Sequence, residues 1–246
     1  LNDHKTGLKW VLGVFVFAAF LWSYRNNVFA DLWTIWMQSD EYSSGILVPP
    51  IALYIVWLRR RKLLETPVSP SLAGGLMIFL FAQAVRFFGL FFMYASLERL
   101  SMIITLISLV ILMFGWKMFS RLWTVMLFLC LMLPPPVSIS NAISFPLQQW
   151  ATSSAVFCLE IFGFNVMREG NVITLSGTVL AVAEACNGLR MLTSFLVISS
   201  MVALLVNRNI ITKMIIVLSG IPIAMLCNTI RLTLTSMAFT VLDSER

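Results

Sequence analysis

Apolar residues in this chain come in long runs separated by short polar punctuation. The runs occupy 8–24, 46–58, 73–88, 97–114, 118–133, 187–206 and a last stretch from 210 to about 241. Several approach or exceed the ~18 apolar residues that fit a helix across hydrocarbon. The pattern predicts an all-α polytopic membrane protein, with about seven transmembrane helices in one domain over 1–246. The first run is too long for a secretory leader and lacks a cleavage site. A polar loop is expected after it, carrying Arg25, Asp31, Asp40 and Glu41, with Trp33 and Trp36 suited to an interfacial belt. Thr66-Pro67-Val68-Ser69-Pro70-Ser71 and Pro134-Pro135-Pro136 break helices. Pro222 is expected to kink the last run without ending it.

Two segments fit neither class. Residues 141–162 carry Gln148, Gln149, Thr152, Ser153 and Ser154, which predicts an amphipathic helix with a wet face lying in the interface. The β-branched runs 172–175 and 178–182 flank Ser176-Gly177 and predict a hairpin near the outer face. Such a hairpin must lie outside the hydrocarbon or be covered by protein.

Composition agrees with the pattern. The chain is 59% hydrophobic and 11% charged, with a mean hydropathy of +0.91. A soluble fold cannot hide that much apolar surface. The net charge is +6, but the basic residues cluster at helix ends, so nucleic acid is a poor explanation of it. With the N-terminus cytoplasmic, ten of the 17 basic residues fall on the inner side, led by Arg59-Arg60-Arg61-Lys62. That orientation requires 141–162 not to span. The only histidine is His4, and no metal-ligand cluster or cofactor motif is visible. Of the four cysteines, Cys130, Cys158 and Cys227 lie in apolar surroundings and read as packing residues.

Cys186 differs. It stands in Ala181-Val182-Ala183-Glu184-Ala185-Cys186-Asn187-Gly188-Leu189-Arg190, at the entrance to an apolar run. A helix N-terminus and a nearby cation both favour thiolate. Asn187 reads as the N-cap, Gly188 permits close backbone approach, and free amides there suit an oxyanion. Arg231 lies in Asn228-Thr229-Ile230-Arg231, with Asn228 and Thr235 on the same helical face. Counting spans puts Cys186 and Arg231 at the same outer depth. Glu184 is placed to orient Arg231 or Arg190, and Arg190 is a rival cation. Taken singly, each residue also has a plainer reading. Cys186 reads as a small packing residue, the arginines as headgroup contacts, and Glu184 as a solvated loop acid.

The motif from Ala183 to Arg190 resembles the cysteine motif of the exosortase/archaeosortase family, A-E-A-C-S-G-hydrophobic-R. The stretch from Pro222 to Arg231 resembles that family's arginine motif. Asp40-Glu41-Tyr42-Ser43-Ser44-Gly45-Ile46-Leu47-Val48-Pro49-Pro50 resembles its early Y-S-H-G-x-L-V-P segment, and the basic stop after that span also matches. The resemblance covers nearly the whole chain, in order.

The resemblance implies a membrane cysteine transpeptidase in the cytoplasmic membrane of a prokaryote, with its site facing outward. Its substrates would be exported proteins with a C-terminal sorting signal of the Pro-Glu-Pro kind, transferred to an acceptor. Cys186 and Arg231 match the first two members of the family's catalytic set, with Glu184, Asn187, Gly188, Arg190 and Asn228 in support. No cofactor is implied; the partners are the transmembrane substrate and membrane lipids.

Two positions depart from the family. Ser44 stands where the early motif has His. The family's third catalytic residue is a later His (Arg in some archaeal members), and no histidine follows Arg231, so the expectation is a missing C-terminal helix and an inactive chain as it stands, the alternative being a degenerate or non-catalytic member. Two rival readings remain: a membrane transferase acting on lipid-linked sugars, and a non-enzymatic transporter or scaffold. Neither requires Cys186.

Overall fold

The computed structural model describes residues 2–164, 166–170, 172–175, 178–181 and 188–244. The chain divides into two compact units, Leu1–Ser39 with Gly45–Pro134, and Asp40–Ser44 with Pro135–Arg246.

In the first unit, helix α1 (Asn2–Tyr24) does not give way to the expected polar loop. It continues through one π-helical turn, Arg25–Phe29, into α2 (Ala30–Gln38). The charge that argued for a loop is met by protein. Asp31 Oδ2 accepts from Arg99 Nε at 2.8 Å, with the Arg99 side chain 11% exposed. Beneath this pair, the buried Tyr24 hydroxyl bonds Thr105 and Ser101 at 2.9 and 3.2 Å. Gln83 donates to the same Thr105 hydroxyl. Satisfied in this way, polar atoms are tolerated among apolar helices.

A 3-10 turn, Ser43–Leu47, leads into α3 (Val48–Leu58), whose first turn holds Pro49 and Pro50. Proline is tolerated there because those amides lack intrahelical acceptors in any case. The basic run forms the short α4 (Arg60–Leu64). Helices α5 (Leu72–Phe91) and α6 (Ala95–Phe114) pack as an extensive antiparallel pair. Gly115, at φ +88°, turns the chain into α7 (Trp116–Leu129), which ends in a 3-10 turn, Cys130–Met132. Only glycine suits that turn, because a Cβ would collide with the Ser69 carbonyl.

The second unit starts with α8 (Val137–Ile161), which contains Pro146. Its hydroxyl-bearing positions are not a uniformly wet face. Thr152 is fully buried and donates to the Gln148 carbonyl, and Ser153 donates to that of Gln149. The bond back to the preceding turn lets Thr152 face protein, while Ser153 stays exposed. Ala151, Ala155 and Leu159 bury against Leu232 of α10. Strands β1 (Val166–Glu169), β2 (Val172–Leu175) and β3 (Thr178–Ala181) follow. They form an antiparallel sheet in order β1-β2-β3, with Val172 opposite Ala181 and Val166 opposite Leu175. Strand β1 has no counterpart in the sequence reading.

Helix α9 (Leu189–Leu205) packs along α10 (Ile210–Ser244). Gly220 makes the close approach possible: a Cβ there would sit 2.8 Å from Ser199 Oγ. Helix α10 passes through Pro222 as one element of 35 residues, roughly 50 Å at the usual helical rise.

Among the described residues, three helices are long and apolar enough to cross a membrane: Leu72–Phe91, Ala95–Phe114 and Ile210–Ala238. A fourth is reached if α7 and α8 form one broken span. This is fewer than the seven expected. Ser43–Leu58 and Leu189–Leu205 are apolar but shorter than 18 residues. The run 187–206, for one, gives up residues to its cap and to the turn after Leu205, leaving a helix of 17 residues.

Candidate functional site

Helix α9 begins on Gly188, which is buried, holds φ +79° and serves as the N-cap. The cap expected at Asn187 therefore falls one residue later. Gly188 has no side chain to cap with, and its left-handed backbone sets the direction of entry. The predicted close approach has a specific partner. A Cβ on Gly188 would lie 3.2 Å from Asn228 Nδ2 and 3.6 Å from its Cγ.

Asn228 is 2% exposed, in mid-α10. One turn on, the half-buried Arg231 donates from Nη2 to Asn228 Oδ1 at 3.0 Å. The i,i+3 spacing puts both on one helical face, and the bond holds the guanidinium by a charge-assisted contact. The third residue expected on this face, Thr235, is exposed, and its hydroxyl donates to the Arg231 carbonyl. The start of α9, Asn228 and Arg231 thus form one continuous chain of contacts. Glu184, Cys186 and Asn187 lie outside the described residues.

Beside this chain is a cavity of about 270 Å³. Leu147, Trp150, Ala151 and Ser154 of α8 form one wall, and Leu192 with Met225 and Leu226 form much of the rest. Gly188, Ala224, Asn228 and Thr229 complete it. The lining carries no formal charge, and its small residues, Gly188, Ala151 and Ala224, leave the space open.

Arg190 is engaged elsewhere. Its Nη1 meets Asp40 Oδ1 at 3.1 Å, with both side chains largely exposed. The next turn of α9 repeats the connection, as Thr193 Oγ1 donates to the Glu41 carbonyl at 2.8 Å. Tyr42 in turn bonds Ser140 of α8 at 2.8 Å. Partial burial pushes the Tyr42 phenol above its usual pKa, against the lowering effect of that bond and with a smaller push from Glu41. The segment Asp40–Ser44 is therefore fastened to α8 and α9, 98 and 150 positions away in sequence. Its charges had marked it as loop, and its motif as part of the resemblance. Neither signal says where it docks. The α8 wall was also missed, because its aromatic and small residues look like ordinary packing.

These features define a polytopic α-helical membrane protein with a buried polar face on its last helix. A family model described as transmembrane exosortase matches residues 36–245. The chain belongs to the transmembrane exosortase family. No curated protein and no solved structure gives a significant match.

Proposed function

We propose that the chain is a membrane cysteine transpeptidase whose nucleophile is Cys186 and whose electrostatic partner is Arg231. The observation that carries this reading is the contact of Gly188 with Asn228, the residue that holds the Arg231 guanidinium. Cys186 is two residues before Gly188, so covalent geometry keeps the two Cα atoms within roughly 7 Å of each other. A guanidinium that reaches the thiol, partly shielded from water, would favour thiolate over thiol and stabilise charge developing on a carbonyl oxygen.

The reaction follows from that pair. The thiolate attacks the scissile carbonyl of a C-terminal sorting signal, forming a tetrahedral oxyanion. Its collapse breaks the C–N bond and gives a thioester, while the departing amine takes up a proton. An acceptor nucleophile then attacks the thioester, releasing the transferred protein and the thiolate. The substrate's own membrane helix brings the signal to the site. The uncharged cavity beside Gly188 is suited to an apolar residue next to the scissile bond. Glu184 would orient the cation, and Arg190 would fasten the segment through Asp40.

Processing of a sorting-signal substrate tests this reading. In the full-length protein, Cys186→Ala is expected to abolish product formation, while Cys130→Ala and Cys158→Ala retain it. Turnover in the Cys186 variant would end the cysteine mechanism.

A further inference from the structure

The first unit carries a second cavity, of about 780 Å³, lined by Lys62, Glu65, Thr66, Pro67, Trp116, Lys117, Ser120 and Arg121. Three cations and one acid face it, a local charge of about +2. The cations come from two separated segments, the end of α4 and the first two turns of α7. None of the three is in an ion pair among the described residues. Like charges gathered around a cavity repel one another, and an anion bound between them relieves that cost.

The depth of the cavity follows from its neighbours. Helix α6, a 20-residue apolar span, ends at Phe114, two residues before Trp116. The linker before α5 is tied to the same end: Ser69 N donates to the Phe114 carbonyl and Ser71 N to that of Ile111. Two adjacent spans thus terminate here, and the cavity opens just past them. Trp116 is 51% exposed, and nearby Trp57, 56% exposed, lies under the Arg60 guanidinium at 4.2 Å. Exposed tryptophans beside basic residues at span ends occupy the headgroup layer. The positive end of the α7 dipole adds to the field.

We propose that this cavity binds the phosphate of an anionic lipid headgroup. Lys62, Lys117 and Arg121 neutralise the phosphodiester, Ser120 offers its hydroxyl to the phosphate oxygens, Thr66 Oγ1, which donates its proton to the Lys62 carbonyl, accepts from a glycerol headgroup, and Trp116 flanks the acyl–headgroup boundary. The site is independent of the cysteine chemistry, since it belongs wholly to the first unit.

Native mass spectrometry of the whole chain in mild detergent tests the proposal, with dimyristoyl phosphatidylglycerol or dimyristoyl phosphatidylcholine added. Phosphatidylglycerol is expected to be retained preferentially. The combined variant Lys62→Gln, Lys117→Gln, Arg121→Gln should weaken that retention by at least ~10-fold, since each cation near a membrane surface contributes measurably. Removing charge elsewhere, with Arg208→Gln and Lys213→Gln, should leave it unchanged. The exposed single variant Lys117→Gln, expected to show about a fivefold loss, serves if the combined variant does not fold. Equal retention by parent and cavity variants overturns the proposal. Displacement of the lipid by millimolar inorganic phosphate would overturn its assignment to a lipid and leave a soluble phosphate as the ligand.

Discussion

Asn228 has three demands on it within one helical turn. It is almost fully buried, it packs against the backbone of Gly188, and its carbonyl oxygen accepts from Arg231. A hydrogen bond to a charged group contributes about 1.5–3 kcal/mol. Asn228→Leu, which keeps the volume and removes the acceptor, is therefore expected to lower turnover ~10–100-fold if Arg231 acts in the site. Arg231→Lys should lose most activity despite keeping the charge. An ammonium on a flexible stem lacks the planar fork that bonds Asn228 while reaching a second oxygen. Turnover of a sorting-signal substrate, with thermal unfolding as a control for folding, checks both. A lysine variant with parental turnover would reduce Arg231 to a diffuse positive charge.

Among elements, α2 is the most instructive. Its charged and aromatic residues read as an interfacial loop, yet the helix continues because Arg99 lies on the facing helix at the height of Asp31. Removing one partner of a well-shielded pair leaves the other uncompensated, which costs far more than losing an exposed pair. Asp31→Asn is thus expected to destabilise the protein by about 1–3 kcal/mol, since Asp31 itself keeps some solvent. Asp40→Asn breaks a pair whose acid is 78% exposed and should cost less than ~1 kcal/mol. Thermal unfolding in the same detergent compares the two. Equal shifts would mean that Arg99 finds another acceptor. Helix α8 teaches the same lesson: Thr152 bonds back to its own helix and is buried, while Ala151, Ala155 and Leu159 pack against α10.

For the whole molecule, the basic residues set an expectation for orientation. The Arg59–Lys62 run follows a short apolar helix and is the densest cluster of cations in the chain. A reporter active only outside the cytoplasm is expected to be active when fused after Pro136 and inactive when fused after Lys62. The reverse pattern would invert the orientation and move the proposed site to the inner face.

Much was legible in the sequence because it depends on composition and local spacing. Apolar runs must be buried in lipid or protein, so the all-α membrane class and the positions of α5, α6 and α10 follow from the chain alone. The i,i+3 spacing of Asn228 and Arg231 likewise fixes their common face, and the order of motifs marked the family. Tertiary structure alone decided what depends on a partner distant in sequence. It joined Asp40 to Arg190, set Thr193 against Glu41, brought Asn228 to Gly188, and fixed which apolar runs reach the length of a span. A polar residue in a membrane chain reads as a loop until its partner is known. The partner is chosen by helix packing, which sequence spacing does not encode.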